Sequence, residues 1–203
     1  MKKLMVDEVV ESYMDGGRIN VSDIESVLPT VYRSISRMVR FNATTKGVHT
    51  VLVHSWLVGV MASEFAVEGL KDFAQLAGMM HDFGETVIGD FVMPVKSGKV
   101  FGEVYRKYYE PLESAFRSFV GNEVLGIENF DEKYQSVKEY VDEADSIVGE
   151  LELYEDTLEM DGETLKYARS LFNEMDMSVT VEKFGETLEK IVAGLKKQHD
   201  KSH

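Results

Sequence analysis

Apolar residues recur at helical spacing along most of the chain, and no segment carries a convincing β-hairpin signal. Residues 4–14 predict a first short amphipathic helix, and the capping-box pattern at 22–25 marks the start of a second. The further helices that this spacing predicts cover about residues 30–38, 51–65, 72–87, 102–120, 131–156, 163–175 and 181–197. The pattern therefore predicts an all-α helical bundle.

Two polar segments interrupt the helices, at residues 40–48 and 89–100, and both are predicted to be loops. The helix between 51 and 65 is almost entirely apolar, and its small residues Gly59, Ala62 and Ser63 should let a neighbouring helix approach closely. We expect one domain over residues 1–203, with a core that bears the functional motifs at about 30–155 and C-terminal helices at 163–197.

Composition is that of an ordinary globular protein: the 203 residues are 44% hydrophobic and 29% charged. No apolar stretch approaches the ~20 residues that cross a bilayer, and the basic start lacks the apolar run of a signal peptide. We expect a soluble, cytoplasmic protein with no membrane partner.

The net charge of −14, from 22 basic and 36 acidic residues, argues against a nucleic-acid polymer as partner. Small anionic substrates remain compatible with it, because a metal ion and a few cations can reverse the potential within one pocket. The chain has no cysteine, which excludes thiolate metal sites and cysteine nucleophiles. A metal would need His, Asp and Glu ligands, which suit harder ions such as Mn²⁺, Fe²⁺, Co²⁺ or Mg²⁺.

The residues best suited to hold such an ion are His54, the adjacent pair His81-Asp82, and Asp145, each pair or single residue on a different predicted helix. Taken one at a time they have ordinary explanations, since a His-Asp dipeptide occurs by chance and a histidine on an apolar helix is more often a core residue. Asp145 follows the apolar period of its helix, and a buried carboxylate there needs a partner. Asp142 is the competing candidate for that ligand.

Together these residues resemble the HD-domain superfamily of metal phosphohydrolases. The likeness extends to the segment HDFGETVIGDFVMPVK at residues 81–96, which is similar to bacterial HD-type 5′-deoxynucleotidases and to the related phage deoxynucleoside triphosphate hydrolases, notably the dATP-specific ones. It covers roughly residues 30–155, and the GDxxxPVK part is far more specific than HD alone.

This resemblance implies a set of roles. The implied metal ligands are His54, His81, Asp82 and Asp145. The residues implied around the attacking water are Glu85 and Asp90, and those implied at the substrate are Arg40 and Lys96 for phosphate and Phe41 for the base. The implied cofactor is one divalent ion, namely Mn, Co, Fe or Zn, with Mg as an alternative, and the implied substrate is a small deoxynucleotide.

One departure concerns the position before His54, where many relatives have Glu and this chain has Val53. The polar neighbour that orients His54 from outside must therefore differ. The resemblance leaves monophosphate and triphosphate substrates equally open and implies a homo-oligomer. Two other functions remain as alternatives: a cyclic-nucleotide or dinucleotide phosphodiesterase, and a non-enzymatic acidic helical interaction protein.

Overall fold

The computed structural model describes residues 23–43, 49–91, 96, 98–153, 163–175 and 178–200. The helix predicted at 4–14 lies outside these residues. The α-helices are α1 (Ile24–Ile35), α2 (Val51–Phe65), α3 (Lys71–Met80), α4 (Glu85–Ile88), α5 (Phe101–Val104), α6 (Glu110–Phe119), α7 (Phe130–Leu153), α8 (Glu163–Glu174) and α9 (Val181–Asp200). No β-strand occurs among the described residues, which confirms the all-α prediction.

Helix α2 is the centre of the bundle and packs against α3 and α7. It is apolar on all sides, and most of its residues are buried, as expected for a helix enclosed by others. Gly59 of α2 meets Gly78 of α3, where a Cβ added to Gly78 would lie 2.7 Å from the Gly59 Cα. The predicted close approach of a neighbouring helix is therefore confirmed at Gly59. The glycine pair sets the distance between α2, which carries His54, and α3, which ends just before His81.

A short antiparallel bridge fastens the segment before α2 to the start of that helix. Val39 pairs with Thr50, Arg40 N donates to His49 O at 2.8 Å, and Val51 N donates to Met38 O at 2.9 Å. A 3₁₀ turn, Arg40–Ala43, follows the bridge. Arg40 is thereby held beside the first turn of α2, although it lies 14 residues before His54 in the sequence.

Three of the predicted helices differ from those observed. The helix expected over 30–38 is the second part of α1, which starts at Ile24, within the predicted capping box, and ends at Ile35. The helix expected over 72–87 ends at Met80, and the chain passes through a turn at 81–84 before α4. The helix expected over 102–120 is found, but π-helical turns at Tyr105–Tyr109 and Val120–Val124 flank α6. Eight residues of regular α-helix would set Tyr105 and Glu113 about 80° apart around the axis, whereas the wider π-turn lets the two side chains meet.

Helix α9 closes the bundle against α1 and α3. Phe184 lies at its contact with the core, with ring centroids 5.5 Å from Tyr32, 6.3 Å from Phe83 and 6.4 Å from Trp56. Among the helices in the described ranges, none is both long enough and apolar enough to span a bilayer.

Candidate metal centre

His54 projects from α2 into the interior and is 0% exposed. Thr50 caps the helix by accepting a hydrogen bond from Val53 N at 3.3 Å. His54 Nε2 lies 2.9 Å from Asp145 Oδ1 and 3.8 Å from Asp82 Oδ2. Helix α2 thus presents one imidazole nitrogen to carboxylates from two other segments.

His81 and Asp82 lie in the turn at 81–84. His81 Nδ1 donates to Gly78 O at 2.7 Å, which leaves Nε2 as the nitrogen with an available lone pair. That Nε2 is buried and has no hydrogen bond of acceptable geometry, although Asp82 Oδ2 is 3.1 Å away. In a regular helix adjacent residues point about 100° apart. Because α3 ends at Met80, the neighbouring imidazole and carboxylate face one point.

Helix α6 holds this turn from outside. Arg117 donates from its guanidinium to His81 O at 3.0 Å. A Cβ on Gly84 would lie 2.4 Å from the Glu113 Cα, so only glycine allows α6 to approach so closely. The turn is therefore fixed by a backbone contact and by a charged hydrogen bond, one helical turn apart on α6.

The nitrogen and oxygen atoms of these side chains have the spacing of ligands around one ion. Recorded separations among His54 Nε2, His81 Nε2, Asp82 Oδ2 and Asp145 Oδ1 run from 2.9 to 3.8 Å. Ligand atoms about 2.1 Å from an ion lie about 3.0 Å apart at right angles and about 3.4 Å apart in a tetrahedron. His54, His81 and Asp82 each offer an atom within 4.8 Å of the other two. The unpartnered His81 Nε2 and the mixed N/O donor set fit a divalent metal ion.

The electrostatics of the site also favour a cation. Burial raises the pKa of Asp82 and of Asp145, but the two imidazoles outweigh it and hold both pKa values below the ordinary range. Burial lowers the pKa of His54 and of His81, yet the surrounding carboxylates raise both. Each group thus stabilises the charged form of its neighbours. Because burial disfavours every one of these charges, the carboxylates need a cationic partner, which a bound metal ion also supplies.

Glu152 is the site residue that sequence reasoning missed. It lies on α7 seven residues after Asp145, two turns along the same face, and is 0% exposed. Its Oε2 lies 3.0 Å from His54 Nδ1 and 3.2 Å from Arg40 Nε. Glu152 thus supports His54 from the side opposite the ligand atom, as the absent glutamate at Val53 was expected to do. An acidic residue on the apolar face of a predicted helix was the signal that could have revealed it.

Arg40 lies beside the candidate ligands, in contact with two carboxylates. It pairs with Glu152 and, through its Nη1, with Asp82 Oδ2 at 3.4 Å. Its guanidinium lies 5.1 Å from the centroid of the Phe41 ring. Phe41 has a φ of 55°, a left-handed conformation that is costly for a bulky residue and that occurs mostly where surroundings or function impose it.

A small cavity of about 60 Å³ lies beside the candidate metal ligands, and we call it the metal pocket. It is lined by Arg40, Phe41, Asp82, Asp90, Phe91, Lys96 and Asp145. All of these except Phe91 are residues that the sequence had singled out. The structure therefore brings together the predicted ligands Asp82 and Asp145 with both predicted phosphate-binding cations.

Glu85 lies behind Lys96 rather than on the wall of the metal pocket. It is 1% exposed, and its Oε1 forms an ion pair with Lys96 Nζ at 3.1 Å. Burial, and next the charge of Asp82, raise the pKa of Glu85 well above its ordinary value, while Lys96 opposes the shift. Glu85 therefore reaches the pocket through the Lys96 ammonium.

A second pair of residues completes the surroundings of Lys96. Tyr105 donates from its hydroxyl to Glu113 Oε2 at 2.6 Å, Glu113 Oε1 lies 4.0 Å from Lys96 Nζ, and that Nζ is 5.4 Å from the Tyr105 ring centroid. The ammonium is thus held between two buried carboxylates and an aromatic ring.

The choice between Asp145 and Asp142 has a geometric counterpart. Asp145 faces both imidazoles, whereas Asp142 is exposed and pairs with Lys138 one turn earlier on α7.

Comparisons of the chain with protein-family models, curated proteins and solved structures found no match. The function of the protein must therefore be inferred from the residues of this site.

Proposed function

We propose that this protein is a divalent-metal-dependent phosphohydrolase that acts on deoxyribonucleoside phosphates. One observation carries the proposal: His54, His81 and Asp82 offer ligand atoms within 4.8 Å of one another, Asp145 Oδ1 lies 2.9 and 3.7 Å from the two imidazole nitrogens, and the adjacent pocket is lined by Arg40 and Lys96. A metal group alone would fit many functions. Two cations beside it, in a chain of net charge −14, favour a substrate with phosphate groups.

The proposed cofactor is one ion of Mn, Co, Fe or Zn, with Mg as the alternative, held by His54, His81, Asp82 and Asp145. When bound, the ion supplies Lewis-acid polarisation of the phosphoryl group. The two imidazoles favour a transition metal over Mg²⁺, which prefers oxygen ligands and retains water.

The side chains around the ion divide the remaining work. Arg40 and Lys96 bind the phosphoryl oxygens and offset the negative charge that develops on them. Asp90 accepts a proton from the attacking water as the water oxygen forms its bond to phosphorus, the bond from phosphorus to the leaving oxygen breaks, and that oxygen takes up a proton from solvent. Burial raises the pKa of Asp90, which brings a carboxylate base closer to neutral pH. Glu85 positions Lys96, and Phe41 offers a face on which a nucleobase stacks.

The number of phosphates on the substrate decides between two activities. A triphosphohydrolase would release tripolyphosphate from a dNTP, with dATP the first candidate, whereas a 5′-deoxynucleotidase would release phosphate from a dNMP. Each of the four dNTPs and four dNMPs should be incubated with the Mn²⁺-loaded protein, and the free phosphate and tripolyphosphate measured. Turnover that is lost in Asp82→Asn supports the proposal.

Failure of every deoxynucleotide with each of the five ions would contradict the proposal. Hydrolysis of cyclic nucleotides alone would favour the phosphodiesterase alternative, and an inability to bind any of the ions would favour the acidic interaction protein. In Glu85→Gln, we expect metal binding to persist while kcat falls and its pH profile shifts, because the variant leaves all four ligands in place.

We also propose that the enzyme is cytoplasmic and forms a homo-oligomer. Exposed apolar residues recur every four positions at Val100, Val104 and Tyr108, next to the exposed Phe101, a spacing that places them along one side of a helix. Light scattering on the purified protein measures the oligomeric state, and Val104→Glu should shift an oligomer that uses this side towards the monomer.

A further inference from the structure

A large groove lies between α1 and the segment Glu85–Gly89, and we call it the α1 groove. Its volume is about 490 Å³, and its lining shares no residue with the metal pocket. Pockets for small organic ligands commonly measure about 300–1,000 Å³. The α1 groove therefore has room for a nucleotide-sized molecule.

The α1 side of this groove is a polar and cationic stripe. Thr30, Arg33 and Ser34 occur at positions i, i+3 and i+4, which places them on one face of α1, and Arg37 follows in the turn after the helix ends at Ile35. All four residues line the groove. The two guanidiniums, one turn apart, can share one phosphate group, since each offers a planar set of N–H donors.

The charge of these arginines is not consumed by neighbours. Within the described ranges, no carboxylate forms an ion pair with Arg33 or Arg37. Arg33 and Arg37 also line the neighbouring groove towards α9, together with Glu182, Glu186 and Glu189, but none of these three carboxylates forms an ion pair with either guanidinium. Glu85, the one acidic residue in the α1 groove lining, is already paired with Lys96. Two adjacent cations without an ion-pair partner are notable in a chain of net charge −14.

The opposite wall differs in character. Val87, which is 3% exposed, and the half-buried Ile88 give it apolar surface. Thr86, in the same wall, has a buried hydroxyl oxygen with no hydrogen-bond partner. A groove with cations on one side and apolar surface on the other fits a ligand with an anionic end and a flat apolar part.

We propose that the α1 groove is a second binding site, specific for a phosphate-bearing small molecule with an aromatic ring, of which a nucleoside monophosphate is the simplest type. The phosphate binds Arg33 and Arg37, and the ring lies on the wall formed by Val87 and Ile88. The site does not depend on the proposed phosphohydrolase activity. The two are nevertheless adjacent, because the wall that would contact the ligand continues into Glu85, which holds Lys96 in the metal pocket.

The test measures binding rather than turnover. Metal-free protein is titrated calorimetrically with dAMP and, separately, with inorganic phosphate, so that the phosphate and the ring are assessed independently. The test variant is Arg33→Gln/Arg37→Gln, and the matched control is Lys190→Gln/Lys197→Gln. The control removes the same charge from exposed positions on α9. Circular dichroism verifies that both variants are folded.

We expect dAMP to bind the wild type and the control alike, and to bind the arginine variant at least tenfold more weakly. Binding to the metal pocket would leave the arginine variant unaffected, so equal affinity in all three proteins would overturn the proposal. An equal loss in the control and the arginine variant would attribute the effect to net charge and overturn it too. Inorganic phosphate should bind more weakly than dAMP, and equal affinities would remove the role of the apolar wall. Absence of hydrolytic activity would refute the proposed function and leave this result intact.

Discussion

Glu152 should be required both for folding and for metal affinity, and Glu152→Gln tests this with a nearly isosteric change. The wild-type carboxylate lies 3.0 Å from His54 Nδ1 and 3.2 Å from Arg40 Nε, with its side chain fully buried. Both contacts are made to the same atom, Oε2, so the amide oxygen of Gln can occupy that place, but the carboxylate charge is lost and the hydrogen bond to His54 is no longer charge-assisted. Such a bond contributes about 1.5–3 kcal/mol, and that is the expected fall in the free energy of unfolding.

The effect on the metal follows from the same contact. Residues that orient a ligating imidazole typically change metal affinity by about 10–100-fold, so Mn²⁺ should bind Glu152→Gln more weakly by that factor. Urea unfolding of the metal-free protein and calorimetric Mn²⁺ titration measure the two effects. Glu150→Gln is the control, because Glu150 is exposed on the same helix. If Glu152→Gln matched this control in both assays, the support assigned to Glu152 would be refuted.

Three further predictions concern stability. Gly78→Ala should lower the free energy of unfolding by about 1–3 kcal/mol and weaken Mn²⁺ binding, because its Cβ would meet backbone atoms of α2 at 2.7–3.0 Å. The control is Gly69→Ala, where no atom lies within 4 Å of the new Cβ, and it should change neither quantity in the same assays. Tyr32→Phe should leave the free energy of unfolding unchanged or raise it by about 1 kcal/mol, since the buried hydroxyl has no hydrogen-bond partner among the described residues. If urea unfolding showed the free energy falling by more than that amount, the hydroxyl would have a hydrogen-bond partner and the prediction would be wrong. Burial raises the pKa of Glu113 in the folded state, so its contribution to stability is present below the unfolded pKa of about 4.3 and is lost as pH rises through the folded value. In urea unfolding, the stability of the wild type relative to Glu113→Gln should therefore fall as pH is raised above about 4.3, and a difference that stays constant with pH would contradict this.

The helices were predictable because most of their information is local. The apolar period of α7 identifies its buried face, and the same period placed Asp145 at that face before any contact was known. The nearly continuous apolar sequence of α2 indicated a central helix, and Gly59 indicated a close neighbour. These features follow from spacing along one segment.

What could not be predicted depends on contacts between segments. The end of α3 at Met80 has no proline or glycine at that point in the sequence, and the turn that follows is held by Arg117 and by the approach of α6 at Gly84. Glu152 resembles one more acidic residue of a surface helix until α2 and the bridge place His54 and Arg40 against it. The position of Glu85 behind Lys96 likewise depends on how the turn and α4 are oriented.

The central claim is that His54, His81, Asp82 and Asp145 hold one divalent ion. The most direct measurement is the stoichiometry and affinity of Mn²⁺ binding, by calorimetry, for the wild type, Asp145→Asn and Asp142→Asn. Both substitutions remove one charge from the same helix, but only Asp145 faces the imidazoles. If the four side chains share one ion, we expect one Mn²⁺ per chain in the wild type and in Asp142→Asn, and Mn²⁺ binding at least tenfold weaker in Asp145→Asn. A wild type that binds no ion, or an Asp145→Asn variant that binds Mn²⁺ as tightly as Asp142→Asn does, would contradict it.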